Sequence, residues 1–312
     1  MIKRLILIQF FLLSLLYASG QQDPVFSHLF FNKVYQNPAF AGLQGEICAN
    51  VINRQQWVGL EGAPQTTVFT INSPINIFGI NSGIGISLMD DRLGLEKSFS
   101  GNLAYSYIHD LSTGTISFGA NLGIYNRAYE GGFTFPDASV DPVVPNAKDQ
   151  SLIFDMSIGA VYTLDNLYIG LSVSHLAQPK FKLPSTESGE LSILKRHYFI
   201  MSGYKLGVGS SPWELMPNLL VKYDGASPQF TINLNTLYNK KLWGGVTYST
   251  NDVFDINIGI ELFNGIKIGY AYGLNLSKFI NTNTGSHEVM IGYCFNFEFS
   301  KAPQKYRSVR FL

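Results

Sequence analysis

The 312-residue sequence predicts an all-β protein: a transmembrane antiparallel up-and-down β-barrel of about fourteen strands. Three observations lead there. Only 14% of residues are charged while 46% are hydrophobic and 14% aromatic, where a water-facing domain carries roughly 25% charged residues. Apolar residues recur at every second position over stretches of about ten residues, the length a tilted membrane strand needs. Short turns and longer connections alternate along the chain, as they do between the two rims of an outer-membrane barrel.

The elements follow in order. Lys3 and Arg4 precede an apolar run from Leu5 to Tyr17, and the small residues Ala18, Ser19 and Gly20 close it. Residues 1–20 therefore predict a secretory signal peptide; the run is too short for a spanning helix, which needs about 20 residues. No cysteine follows it, so no lipoprotein anchor is expected there. Residues 21–45 lack clean alternation and carry Pro24 and Pro38. They predict an amino-terminal extension, either periplasmic or tucked into the lumen as a plug.

The barrel is expected over 46–299, with strands near 46–55, 66–75, 82–91, 98–109, 115–127, 151–163, 166–176, 195–206, 214–223, 229–239, 241–249, 253–262, 266–276 and 286–299. The alternation is clearest late in the chain. Phe254, Ile256, Ile258, Ile260 and Leu262 share one face; Asp255, Asn257, Gly259 and Glu261 share the other. Ile266, Ile268, Tyr270, Tyr272 and Leu274 repeat the pattern, as do Val289, Ile291, Tyr293, Phe295 and Phe297. Weaker copies run through Ile84, Ile86 and Leu88, through Ile116, Phe118, Leu122 and Ile124, and through Leu167, Ile169, Leu171 and Val173. The opposite face is mostly Gly, Ser and Asn, which suits a sheltered lumen better than the charged outer face of a soluble sandwich or cup. Closure leaves no unpaired strand edge in hydrocarbon. Tyr35, Trp57, Tyr105, Tyr107, Trp213, Trp243, Tyr270 and Tyr272 are the candidates for interfacial girdles.

Turns at 111–114, 164–165, 239–240 and 263–265 are short, whereas 128–150 and 177–194 are long. If the first strand rises from the periplasm, both termini are periplasmic. The tail 300–312 carries Lys301, Lys305, Arg307 and Arg310 with no acid. It is expected as a basic periplasmic tail, touching anionic lipid or an acidic partner or simply solvated.

Equal numbers of basic and acidic residues, 22 each, give no field that would draw nucleic acid. The aromatic content excludes wholesale disorder. No catalytic residue, cofactor site or metal site is predicted. His109 is flanked by Ser106 and Asp110, and His287 by Ser286 and Glu288. Neighbours on a strand point to opposite faces, so neither group makes a triad. No histidine pair has helical metal spacing, and no glycine-rich phosphate loop precedes a helix. Asp90 with Asp91, and Asp137 with Asp141, offer loop carboxylates for Ca²⁺, which more often simply solvate. Cys48 and Cys294 lie on the first and last strands, neighbours in a closed barrel. A cross-strand disulfide or two free thiols are both open.

The wording of the chain adds a resemblance. The segments QDPVFSHLFFNKVYQNPAFAG (22–42), NRQQWVGLEGAPQTTVFTINSPI (53–75), GIGISLMDDRLG (83–94), GLSVSHLAQP (170–179), RHYF (196–199), PNLLVKYDGASP (217–228), LYNKKLWGGVTY (237–248), KIGYAYGL (267–274) and GSHEVMIGYCF (285–295) resemble the PorP/SprF family of outer-membrane proteins of type IX secretion and gliding motility. They spread over nearly the whole chain; 129–150 and 179–194 depart most. The resemblance implies a non-enzymatic outer-membrane component whose partners are outer-membrane lipid and type IX secretion components or a secreted adhesin bearing a C-terminal sorting domain. Asn37, Pro38, Phe40 and Gly42 in the extension, with Arg54 and Trp57 at the end of the first strand, are the partner-binding candidates; a fold-closing turn and a girdle contact are their structural alternatives. A porin or ligand-specific channel is the alternative function.

Overall fold

The structure, a computed structural model, describes residues 23–130, 148–181, 193–250, 253–275 and 283–295. The expected signal peptide at 1–20, the basic tail at 300–312 and the acids Asp137 and Asp141 lie outside the described residues. The strands are β1 (Ile47–Gln55), β2 (Gln65–Ile77), β3 (Ile80–Leu93), β4 (Glu96–Leu111), β5 (Gly114–Glu130), β6 (Lys148–Thr163), β7 (Leu167–Ser174), β8 (His197–Tyr204), β9 (Leu206–Gly207), β10 (Trp213–Tyr223), β11 (Pro228–Tyr238), β12 (Leu242–Ser249), β13 (Val253–Glu261), β14 (Ile266–Asn275) and β15 (Ser286–Phe295). The two-residue β9 continues the ladder of β8 along β10, beyond Lys205. Taken as one, they leave fourteen spanning strands, each antiparallel to its neighbours. Pairing of β1 with β15 shuts the ring.

The alternation decides which side chains meet lipid. Leu122 is 65% exposed, Ile258 64% and Phe154 81%, while Asn121, Asp155 and Asn257, the residues next to them in the chain, are buried. The interior is thus the polar side: Thr70, Ser106, Ser117, Asn233 and Asn235 are all buried. A large apolar side chain gains about 1.5–3 kcal/mol on leaving water. A belt of dozens is therefore untenable in water and natural in hydrocarbon, where only a closed ladder satisfies the backbone.

Two aromatic residues expected at a girdle face the lumen instead. In β12 the outward phase falls on Leu242, Val246 and Tyr248, which leaves Trp243, 3% exposed, pointing inward against Phe31. Tyr35 belongs to the extension and donates to Met89 Sδ at 2.9 Å inside the barrel. Tyr105, Tyr107, Trp213 and Tyr270 point outward.

The carboxyl-terminal ends of β1, β5 and β7 share one rim, the long-connection rim. Two-residue turns at 78–79 and 112–113, with 164–166 and 239–241, share the other. Asn239 and Lys240 both have positive φ, 51° and 57°, the backbone of a primed hairpin turn whose twist matches the strands.

Residues 23–45 lie inside the barrel as a strap with three 3-10 turns, η1 (Leu29–Phe31), η2 (Lys33–Tyr35) and η3 (Pro38–Phe40). Asp23 sits beside His175 and His197 at the long-connection rim. The chain then crosses the lumen to Gly42, beside Ser73 and Gly83, and enters β1 at the short-turn rim. The apolar core is the contact between this strap and the wall: Phe26, Leu29, Val34 and Phe40 pack with Met89, Tyr125, Met201 and Met290.

Candidate functional site

A strap running through a barrel must have its backbone polar groups satisfied from the wall. Three serines on three strands do so. Ser106 Oγ donates to the Ala41 carbonyl, Ser117 Oγ to that of Ala39 and Ser172 Oγ to that of Gln36, each at 2.7 Å. Asn72 Oδ1 accepts from the Gly42 amide at 3.1 Å, and Thr70 Oγ1 donates to Asn32 Oδ1 at 2.7 Å. The small residues of the lumen face have a second use here. A Cβ on Gly119 would fall on the main chain of Pro38 and Ala39, and one on Gly83 on the Ala41 carbonyl. Glycine at these places lets two backbones touch.

Two charged clusters hold the strap near the long-connection rim. In the first, Glu288 accepts from the Ser27 amide at 2.8 Å, the His28 amide at 2.7 Å, His28 Nδ1 at 2.8 Å and Arg54 Nη1 at 2.9 Å. Because the partner is an acceptor, His28 carries its proton on Nδ1. Arg54 Nη1 also donates to Ser27 Oγ at 2.9 Å, and Ser27 Oγ to Asp255 Oδ2 at 2.6 Å. Arg54, Glu288 and Asp255 come from β1, β15 and β13, so one strap residue pair ties three strands across the seam. In the second cluster, His175 Nε2 lies 3.1 Å from Asp23 Oδ1, and His175 Nδ1 lies 2.7 Å from Asp155 Oδ2. His197 Nδ1 lies 3.0 Å from Asp23 Oδ2, and Lys222 Nζ donates to the Asp23 carbonyl at 2.7 Å. Burial would lower His175; the Asp23 and Asp155 carboxylates outweigh it and hold the imidazole up at about 10. Burial would raise Asp23, and the charges of His175 and His197 instead hold it well below the usual carboxylate range.

The strap divides the lumen. Toward the short turns lies a cavity of about 540 Å³ lined by Phe30, Phe31, Phe40, Tyr168 and Trp243, with Lys33 Nζ 4.0 Å from the centre of the Tyr168 ring. Toward the other rim lies one of about 370 Å³ lined by Arg54, Trp57, Asp91 and Asp255. On the short turns, Phe78 is fully exposed and Phe263 is 87% exposed.

The partner-binding candidates fall in two places. Asn37 caps η3, accepting from the Ala39 amide at 2.9 Å and donating to the Ala160 and Leu171 carbonyls at 3.2 and 3.1 Å. Pro38, Phe40 and Gly42 are buried with it. Gly42 has φ 66°, and a Cβ there would meet the Gly83 Cα. Arg54 is buried in the first cluster; Trp57, 36% exposed, stands at the long-connection rim, its amide donating to Ser286 Oγ at 3.3 Å. Cys48 and Cys294 are direct partners across β1 and β15, Cα atoms 4.1 Å apart, joined by a disulfide. Ser106 faces the lumen while His109 stacks on Tyr107 outside, and Glu288 faces in while His287 meets the Tyr270 hydroxyl at 2.7 Å. Asp91 accepts from Thr66 Oγ1 at 2.5 Å and Asp90 pairs with Arg92. The grouping of Asp23, His175 and His197 had no local signal, because three separate segments supply it.

The sequence matches the family model described as type IX secretion system membrane protein PorP/SprF over residues 18–293. No curated protein matches it. Among solved structures, the barrel is similar to the CymD monoaromatic hydrocarbon channel at 10% identity and TM-score 0.54, covering 90% of this chain and 95% of that one. It is similar to the Ralstonia pickettii toluene transporter TbuX at 12% identity and TM-score 0.50, covering 85% of this chain and 93% of that one. At such identities the likeness is one of fold.

Proposed function

The chain belongs to the PorP/SprF family of type IX secretion system membrane proteins, and from that premise we propose that it is a non-enzymatic accessory that assists export or surface attachment of cargo bearing a C-terminal sorting domain, such as a large adhesin. It is an integral outer-membrane β-barrel of that secretion system. The observation that supports an accessory role over free diffusion is the strap: its three serine anchors and two charged clusters hold protein chain across the space a solute would use. On this reading a signal peptide at 1–20 directs the chain out of the cytoplasm. The short-turn rim faces the periplasm, where β1 begins and β15 ends, while the strap carries Asp23 toward the opposite rim, so this reading keeps the expected periplasmic placement for the carboxyl-terminal side of the barrel and not for the start of the strap. Phe78 and Phe263 then face periplasmic secretion components, and Trp57 with the long connections faces cargo.

The test is deletion in the native host followed by surface proteomics. Loss of one or a few sorting-domain proteins from the surface supports the reading; an unchanged exported proteome overturns it. A ligand-specific channel is the second reading. It is favoured by the aromatic cavity of about 540 Å³ and by neighbours whose names specify toluene and monoaromatic hydrocarbons. Under that reading, deletion lowers uptake of a small aromatic solute and leaves surface proteins in place.

A further inference from the structure

We propose that Asp23, His175 and His197 form a binding site for a divalent first-row transition metal of the zinc class, which staples the amino-terminal strap to the wall of the barrel. The donor set is two imidazoles and one carboxylate, the combination that borderline cations such as Zn²⁺ take up. One ligand atom from each residue lies within 4.8 Å of the other two. Two of the three spacings are near those of a coordination shell: His175 Nε2 is 3.1 Å from Asp23 Oδ1 and His197 Nδ1 3.0 Å from Asp23 Oδ2. The edge of a tetrahedron with bonds of about 2.0 Å is about 3.3 Å.

Two further observations point to a ligand. His197 is 0% exposed, and although Nδ1 is near Asp23 it is not aligned for a hydrogen bond, so both ring nitrogens lack a hydrogen-bond partner. Leaving such groups unmade in a buried place costs about 1–3 kcal/mol, a cost that a coordinate bond removes. His175 is oriented as metal-bound histidines are: its Nδ1 faces the Asp155 carboxylate at 2.7 Å, which leaves Nε2 for the cation. Lys222 sends its ammonium to the Asp23 main-chain carbonyl, so both carboxylate oxygens stay available. A cavity of about 40 Å³ bordered by Asp23, Asp155 and His175 has room for a water as fourth ligand.

The staple is independent of the secretion reading, and its test uses neither export nor conductance. The full-length, tag-free barrel is purified in detergent, stripped with chelator and loaded with Zn²⁺; bound metal is counted by mass spectrometry after desalting. One equivalent per barrel is expected, with Co²⁺ in its place giving the intense visible bands of a four-coordinate site. His197→Gln and Asp23→Asn abolish the uptake, and Asp155→Asn weakens affinity about 10–100-fold, whereas His109→Gln on the outer wall leaves it unchanged. Heat-dependent gel mobility reports whether each variant is folded. Wild-type protein that takes up no stoichiometric Zn²⁺, or folded His197→Gln that takes up as much as wild type, overturns the proposal and leaves an ion pair only.

Discussion

Arg54 and Glu288 sit directly opposite each other on the first and last strands, 2.9 Å apart from Nη1 to Oε2, with side chains 4% and 1% exposed. The ion pair is at once a rivet in the seam of the barrel and the socket into which Ser27 and His28 of the strap insert. Its burial sets the energetics: removing one member strands a charge without water, which is worse than never having had the pair.

Arg54→Met alone, or Glu288→Leu alone, is therefore expected to destabilise the barrel by about 3–5 kcal/mol. The double replacement should cost much less than the two singles added. Urea unfolding in detergent, followed by gel mobility, measures all three. Additive losses would mean the two residues do not act as a pair.

Strap removal should open the lumen. In planar bilayers the intact barrel is expected to conduct little, and a variant lacking residues 23–44 to give discrete conductance steps. Gly119→Val is a gentler probe, because its side chain would occupy the place of the Ala39 main chain and push η3 off the wall. Equal conductance in all three proteins would show that the strap does not obstruct the passage.

The outer wall should respond to charge in the opposite sense from a water-facing surface. Leu122→Arg, in the middle of β5, is expected to cost about 2–4 kcal/mol, while Ser112→Arg on a short turn stays within about 0.5 kcal/mol. Folding titrations into lipid vesicles separate the two. No penalty at Leu122 would remove that position from the bilayer.

Non-reduced protein should show Cys48 and Cys294 in one linked peptide pair, with neither thiol alkylated. Cys48→Ala with Cys294→Ala should still fold, at a cost of about 2–4 kcal/mol at most. Two alkylated cysteines in folded wild-type protein would contradict the linkage.

The wall was legible in the sequence because its signal is local. Ile256, Ile258 and Ile260 announce an outward face, and Asp255, Asn257 and Gly259 an inward one, over six consecutive residues. The same rule carried the turn at Asn239 and Lys240. Trp243 faces the lumen although its residue type suits a girdle, because in a strand position parity decides the face. The strap was visible only as a stretch with prolines and no period. What it touches was not visible, since His28 and Glu288 are 260 residues apart in the chain and Ser172 and Gln36 are 136 apart. No periodicity reports such meetings. His175 and His197 appeared as isolated residues in two separate segments, and only barrel curvature brings both to Asp23.

Glu288 belongs to the last strand to be made, and the strap that grips it belongs to the earliest part of the described chain. The cradle that grips the leading segment is complete only when the final stave stands beside the first, because Arg54 and Glu288 come from those two staves. Filling the cylinder and sealing it are therefore energetically one event: whichever comes first, buried charge stays unmatched until the other follows.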